Sequence, residues 1–443
     1  MKPFVVVQGP VATRSGYGNH TRDLVAALIK ADKYDIQIIS LPWGNTPTDA
    51  LKSDNEMHRQ IEQRIARANI NRQPDVFIQV SVANEFQAHG KYNIGITAGV
   101  ETDQPPGEFI EGCNRMDLIL ATSEFTKESL TSVSYDKMDP KTNEKLGETK
   151  IEKPVEVLFE GADLDIYRML KSNEVHDSVN EYLDTINEKF NFLFVGHWLK
   201  GDLGQDRKDV GMMIKTFCEA FKNKASHNKP GLILKTSHAT FSIMDRDHIM
   251  SKIQQIIEPY GDKAPSIYLI HGDLSDEEMN SLYNHSKVKA MISFTKGEGF
   301  GRPLLEFTLS NKPVIASDYS GHKDFLKHFH PLPGDKTPVH KSAADKFLLE
   351  GSKWFTVNYS YAASVLKDCV DNYKNYLVAA KRQAYVSKTE FSLDAMATLF
   401  CEYVDKGIET TPQQVQLQLP KLKKNNTNET PKLKLPKLKK IEA

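Results

Sequence analysis

Two glutamates eight positions apart, Glu298 and Glu306, bound the most chemically suggestive stretch of this chain, Glu298-Gly299-Phe300-Gly301-Arg302-Pro303-Leu304-Leu305-Glu306. A carboxylate can accept two hydrogen bonds at once, which suits the neighbouring hydroxyls of a sugar or a ribose. Gly299 and Gly301 let the backbone come close to a ligand. Pro303 fits the first turn of a helix, where its missing N–H costs nothing. The apolar Leu304, Leu305, Phe307 and Leu309 continue that helix, with Glu306 in its first turn. The free N–H groups of a helix start favour a phosphate. Together these residues describe a pocket for a sugar carried on a nucleoside diphosphate. A glutamate in a first turn also complements the helix dipole, so on spacing alone a capped helix explains them equally well.

Three further segments carry chemistry. In Phe194-Val195-Gly196-His197-Trp198 a strand ends at a glycine, and Asp206-Arg207-Lys208-Asp209-Val210 then puts a basic pair just before a helix. Arg207 and Lys208 can neutralise a diphosphate through charge-assisted contacts, and a fixed cation stabilises the charge that grows on a departing phosphate. An isolated Arg-Lys is also a common exposed helix lead-in. Ser15-Gly16-Tyr17-Gly18-Asn19-His20-Thr21 follows the first strand, but Thr21 replaces the third glycine of a dinucleotide fingerprint. Ala98-Gly99-Val100-Glu101-Thr102-Asp103 places acidic residues at a strand's carboxyl end, where open α/β sheets bind ligands. The triplets Asp163-Leu164-Asp165 and Asp245-Arg246-Asp247 are read as turn and cap residues rather than metal ligands.

These residues need a scaffold, and the rest of the chain reads as one. The 443 residues exceed one ordinary core and imply about two or three domains. No apolar run reaches the roughly 20 residues that span a bilayer, and the four scattered cysteines form no CxxC pair, which fits a reducing cytoplasm. Strand-like runs at 4–8, 36–40, 76–80, 92–97, 118–121 and 155–159 alternate with helical stretches at 19–31, 55–68 and 124–133. A polar surface insertion at 134–153 and a helix-bearing connection at 173–189 follow. A second series has strands at 192–195, 232–236, 267–271, 289–294 and 314–316, with helices at 210–221, 245–256, 275–285 and 303–310. Residues 331–346 read as loop, and helices are expected at 360–375, 376–387 and 393–406. The alternation is that of doubly wound α/β domains. The net charge of −1 hides a Lys/Pro-rich tail: 411–443 carries +6 and the remainder −7. Such a tail reads as disordered, with contact to an anionic surface as the alternative to a solvated terminus.

With these segments in order the chain resembles the retaining glycosyltransferases of family 4, over about residues 4–407 and most closely over 192–326. Glu298 and Glu306 stand as the family's Glu-x7-Glu signature. His271-Gly272-Asp273-Leu274-Ser275-Asp276-Glu277-Glu278 precedes it, and Lys312-Pro313-Val314-Ile315-Ala316-Ser317 and Ser320-Gly321-His322 follow. Ser123-Glu124-Phe125-Thr126 and Glu160-Gly161-Ala162-Asp163 match earlier turns. The resemblance implies the GT-B architecture: a Rossmann-like acceptor domain at 1–187, a Rossmann-like nucleotide-sugar domain at 188–390, a helix at 391–410 crossing back, and the tail. It implies that Glu306 holds the ribose, and that Glu298 with the backbone of Gly299, Phe300 and Gly301 holds the donor sugar. It further implies that Lys208 and Arg207 hold the diphosphate while Gly16 closes over it. Gly18, Gly196, His197 and Leu305 join the donor site on the same ground, and Glu101 and Asp103 complete the catalytic set. His197 stands where the family often has arginine, and Glu101-Thr102-Asp103 where many members place a histidine. The implied reaction moves a hexose-like sugar from a UDP- or GDP-sugar to an acceptor hydroxyl, with retention and no required metal or cofactor. The acceptor is left open among glycan, lipid, protein and modified DNA. Two other readings compete: a glycoside hydrolase using Glu298 and Glu306 as paired carboxylates, and a scaffold acting through the lysine-rich tail.

Overall fold

The computed structural model describes residues 2–410 apart from Pro140, Ala239 and Thr240; the expectation for the tail lies outside the described residues. The first half holds β1 (Phe4–Gly9), α1 (Gly16–Ala31), β2 (Asp35–Ser40), α2 (Glu56–Gln63), β3 (Val76–Val80), β4 (Tyr92–Thr97), α3 (Gly107–Asn114), β5 (Leu118–Ala121), α4 (Glu124–Thr131), the hairpin β6 (Tyr135–Met138) and β7 (Lys145–Thr149), and β8 (Val155–Val157). The second half holds α5 (Asp177–Asp184), β9 (Asn191–Val195), α6 (Val210–Phe221), β10 (Gly231–Lys235), α7 (Ile243–Ile257), β11 (Ile267–Ile270), α8 (Asp276–Asn284), β12 (Val288–Ser293), α9 (Arg302–Thr308), β13 (Val314–Ser317), β14 (His330–Leu332), β15 (Gly334–Pro338), β16 (Lys353–Val357), α10 (Tyr359–Asp371), α11 (Tyr373–Glu390) and α12 (Leu393–Thr410).

Two six-stranded sheets result, in the orders β2-β1-β3-β4-β5-β8 and β11-β10-β9-β12-β13-β14. Every pairing in both is parallel. Parallel sheets are covered by helices on both faces, which buries their central strands on both sides; all five residues of β3, Gln79 included, are buried. Both sheets are Rossmann-like, and each reverses its strand order, at β1/β3 and at β9/β12. Ligands bind such sheets in the crevice beyond the strands' carboxyl ends at that reversal. The last helix belongs to the first half's core, where Met396, Phe400 and Val404 pack with Leu24, Leu28 and Ile78.

Several local expectations differ. Helix α1 begins at Gly16 rather than 19, because the Ser15 hydroxyl caps it by accepting the Gly18 N–H at 2.9 Å. The Gly16-Tyr17-Gly18 turn is thus helix rather than loop. Residues 331–346 are not all loop. Their prolines sit at edge positions where no N–H is required, β14 extends the second sheet, and β15 pairs antiparallel with β16. That pairing spans sequence positions too far apart for local pattern to reveal, and it rests in part on a 2.7 Å hydrogen bond between Thr337 and Thr356. Helix α3 was not anticipated either. Among the described residues no helix is long and apolar enough to cross a membrane.

Candidate functional site

A cavity of about 480 Å³ lies where the carboxyl ends of the two sheets meet. The chain beyond β1 and β4 lines one side of it, and the chain beyond β9, β10 and β12 the other. The halves touch directly around it: Ser123 Oγ donates to the Gly299 carbonyl at 2.6 Å, and the Glu124 N–H donates to Asp324 at 2.8 Å. A Cβ at Gly297 would collide with the Glu101 carbonyl across this seam. Gly297→Ala is therefore expected to hold the halves apart and reduce turnover by roughly 100-fold, since a displacement near 1 Å costs that much at a reacting centre. The melting temperature should fall little, because the clash is relieved by opening. A variant with normal turnover would remove this seam from the account.

Four charged side chains converge beneath it. Lys208 Nζ bonds Glu298 Oε1, Arg207 Nη1 lies 3.5 Å from Glu298 Oε2, and the same Nη1 lies 3.1 Å from Glu101 Oε1. The loop that presents the basic pair is clamped from behind. Asp209 adopts a left-handed conformation (φ 53°), the Lys296 N–H donates to the Arg207 carbonyl at 2.8 Å, and the buried Lys296 Nζ reaches Asp209 at 3.3 Å and Thr356 at 2.9 Å. Burial pulls the Glu298 carboxyl upward, but Lys208 and Arg207 outweigh it and hold it at about 2. A depressed carboxylate contributes stability that is full above its ordinary value of 4.5 and is lost as pH falls toward 2. Glu298→Gln should therefore lower unfolding free energy by on the order of 3 kcal/mol at pH 7. The difference from the parent should shrink below about pH 4.5 in urea titrations; a gap that does not vary with pH would contradict the ion-pair account.

A second cluster surrounds Arg302 on α9. Gly301, at φ 98°, caps this seven-residue helix in a conformation only glycine adopts freely. One turn on, Arg302 Nε donates to Glu306 at 2.9 Å, while its Nη1 reaches Asp23 of α1 in the other half at 2.5 Å. Burial raises Glu306 to about 7 against the pull of Arg302, and burial raises Glu160 to about 7 as well. His20 is buried with neither ring nitrogen partnered. Burial first, and the Arg302 charge second, push it down to about 3, so it lines the cavity as a neutral imidazole.

The cavity brings together Gly16, Glu101, Gly196, His197, Arg207, Lys208, Glu298, Gly299, Phe300, Gly301 and Glu306. His197 is held at 3.2 Å from Ser237 Oγ, and its pKa is lowered by burial and by Lys208 and Arg207, so it offers a neutral ring where a cation is usual in the resembled family. Three expected residues are not cavity-lining. Asp103 accepts from the Lys353 N–H at 2.7 Å and returns its own N–H to the Lys353 carbonyl, which makes it a tie to β16. Gly18 is buried in the first turn of α1. Leu305 is fully buried in the core between α9 and the second sheet. The lining residues that sequence reading passed over include Arg302, Glu160, His20, Tyr17 and Trp43. The Arg302–Glu306 spacing of i,i+4 was the available signal for the first; Trp43 gave none. Among the described residues no group of three or more His, Cys, Asp or Glu is placed to hold a metal ion.

The sequence pattern described as "Glycosyl transferases group 1" matches residues 266–347, the span from β11 through α9 to β15. No curated protein matches the chain in sequence. Among solved structures, sucrose-phosphate synthase from Thermosynechococcus elongatus is similar at 12% identity and TM-score 0.60, covering 92% of this chain and 99% of that one. HepE from Anabaena, solved in complex with UDP-glucose, is similar at 11% identity and TM-score 0.58, covering 91% and 99%. A glycosyltransferase from Rickettsia africae is similar at 14% identity and TM-score 0.59, covering 92% and 99%. At these identities the likeness is one of fold, and the fold is the two-domain GT-B architecture. The matched segment and the shared fold support a glycosyl-transfer enzyme.

Proposed function

We propose that the protein transfers a sugar from a nucleoside-diphosphate sugar, UDP- or GDP-linked, to an acceptor hydroxyl with retention of anomeric configuration and without a required metal. The observation that carries this reading is the pairing of Lys208 and Arg207 with Glu298 at the floor of the cavity. A diphosphate entering there takes over the two cations and releases the Glu298 oxygens to the hydroxyls of the donor sugar. In this assignment residues 188–390 hold the donor and residues 1–187 the acceptor. Glu306, oriented by Arg302, takes the ribose hydroxyls. As the bond from the anomeric carbon to the phosphate oxygen breaks, Lys208 and Arg207 stabilise the charge that develops on the leaving diphosphate. The acceptor oxygen then bonds the same face of the anomeric carbon, and its proton passes to the departing phosphate oxygen. The closed seam at Gly297 and Gly299 keeps out water that would hydrolyse the donor.

A thermal-shift series with nucleotides and nucleotide sugars tests this first. At about 100 times its Kd a ligand adds about 2.7 kcal/mol of stability, so the matching donor nucleotide should raise the melting temperature by several degrees. If no nucleoside diphosphate or nucleotide sugar stabilises the protein, the reading fails.

A further inference from the structure

We propose that the first-half wall of the cavity is a subsite for an uncharged saccharide ring, which makes the acceptor a neutral sugar or glycan; this rests on the transfer reading above. Trp43, in the loop after β2, stacks on Tyr17 with ring centroids 4.3 Å apart and planes at 27°, and both rings line the cavity. Tyr17 is a brace for the indole: its hydroxyl is already engaged, accepting the Ala98 N–H at 2.9 Å and lying 3.2 Å from Thr97 Oγ1. A half-buried indole fixed in this way presents a rigid apolar face beside polar groups, the combination that suits the C–H face of a pyranose.

The charges around the platform select against an anionic acceptor. Glu160 lines the same cavity and, among the described residues, forms no ion pair; Arg302 is the opposing charge that acts on it. Glu101 shares Arg207 with Glu298. Each arginine facing the cavity is already committed: Arg14 to Asp49 and Asp273, Arg207 to Glu101 and Glu298, and Arg302 to Asp23 and Glu306. With the donor bound, its diphosphate already occupies Lys208 and Arg207, and Lys235 on the opposite side bonds the Gly272 carbonyl, so a phosphorylated or diphosphate-linked acceptor would meet the Glu160 carboxyl and no free arginine on the first-half wall. A polyol instead supplies hydroxyl donors to Glu160 and Glu101. Burial holds Glu160 near 7, so it can accept or donate a hydrogen bond at neutral pH.

The test uses the full chain loaded with UDP or GDP, whichever the parent protein binds. Binding of glucose, galactose, mannose and maltose is followed by saturation-transfer NMR, with glucose 6-phosphate as the anionic counterpart. At least one neutral sugar should bind, and the phosphate should bind more weakly than glucose. Trp43→Ala and the isosteric Glu160→Gln should each weaken the neutral sugar by roughly tenfold, the scale of a lost stacking contact or charge-assisted hydrogen bond. Nucleotide affinity by calorimetry should stay within about twofold of the parent, since neither side chain is ion-paired to Lys208, Arg207, Arg302 or Glu306. Failure of every neutral sugar to bind, preference for the phosphate, or unchanged sugar affinity in both variants would overturn the subsite. Loss of nucleotide binding in the parent protein would instead overturn the transfer reading beneath it.

Discussion

Replacing Lys208 with alanine should reduce turnover by roughly 100-fold to 1,000-fold, the cost of removing one preorganised donor to a developing negative charge. The effect should appear mainly in kcat, because the leaving diphosphate carries more charge in the transition state than in bound donor. The structure gives a second, independent consequence. Lys208 is the strongest opposing charge that keeps the Glu298 carboxyl at about 2 in spite of burial. Without it Glu298 retains Arg207 at 3.5 Å and its pKa must rise. The acid limb of the stability profile should then move to higher pH together with the fall in turnover. Lys208→Arg should recover part of both, since a guanidinium supplies charge at a different position. Unchanged steady-state turnover in the alanine variant would remove Lys208 from the site.

Replacing Glu306 with glutamine should weaken nucleotide binding by roughly 10-fold to 100-fold, the range for a hydrogen bond made by a charged group. Its effect on stability has the opposite sign. Glu306 has its ordinary value of 4.5 raised to about 7 by burial, with Asp276 and Asp23 adding to the rise and Arg302 opposing it. A carboxyl raised on folding favours the folded state while protonated, so stability falls as pH climbs from 4.5 to 7. A glutamine cannot ionise and should flatten that slope, gaining up to about 3 kcal/mol at pH 8. The variant should be harder to melt at pH 8 and poorer at holding nucleotide. Calorimetric titration with the nucleoside diphosphate and urea melts between pH 4.5 and 8 measure the two halves of this expectation. An unaltered donor affinity would contradict the ribose assignment.

How much of this was legible beforehand follows from the range of the forces involved. The parallel strands were readable because both faces are covered, which makes β3 and β9 short, mostly apolar runs with sharp ends. The helix expected from 275 starts there, since Ser275 and Glu278 form a capping box, a purely local device. Where a long-range partner decided the structure, local pattern failed. Residues 334–338 look like a proline-glycine loop until Lys353–Val357 pairs with them. Asp103 looked like a cleft carboxylate because it follows a strand end, and only the backbone of Lys353 shows it to be a structural tie. The two glutamates and the basic pair were visible as residue types suited to a nucleotide sugar. Their ion pairing was not, because Lys208 and Glu298 lie 90 positions apart and meet only through the β9/β12 reversal. Arg302 stood in full view in the signature stretch, yet its link to Asp23 needed the other half of the molecule.

The central claim is transfer from a nucleotide sugar, and the most direct measurement is release of nucleoside diphosphate with and without a saccharide acceptor. Donor and protein alone should release it slowly. Addition of the acceptor should accelerate release, with a new glycosidic bond of the donor's own anomeric configuration appearing in equal amount by NMR. Cleavage of plain glycosides in the absence of any nucleotide, with no acceptor-dependent release, would show Glu298 and Glu306 at work as hydrolytic carboxylates and contradict the account.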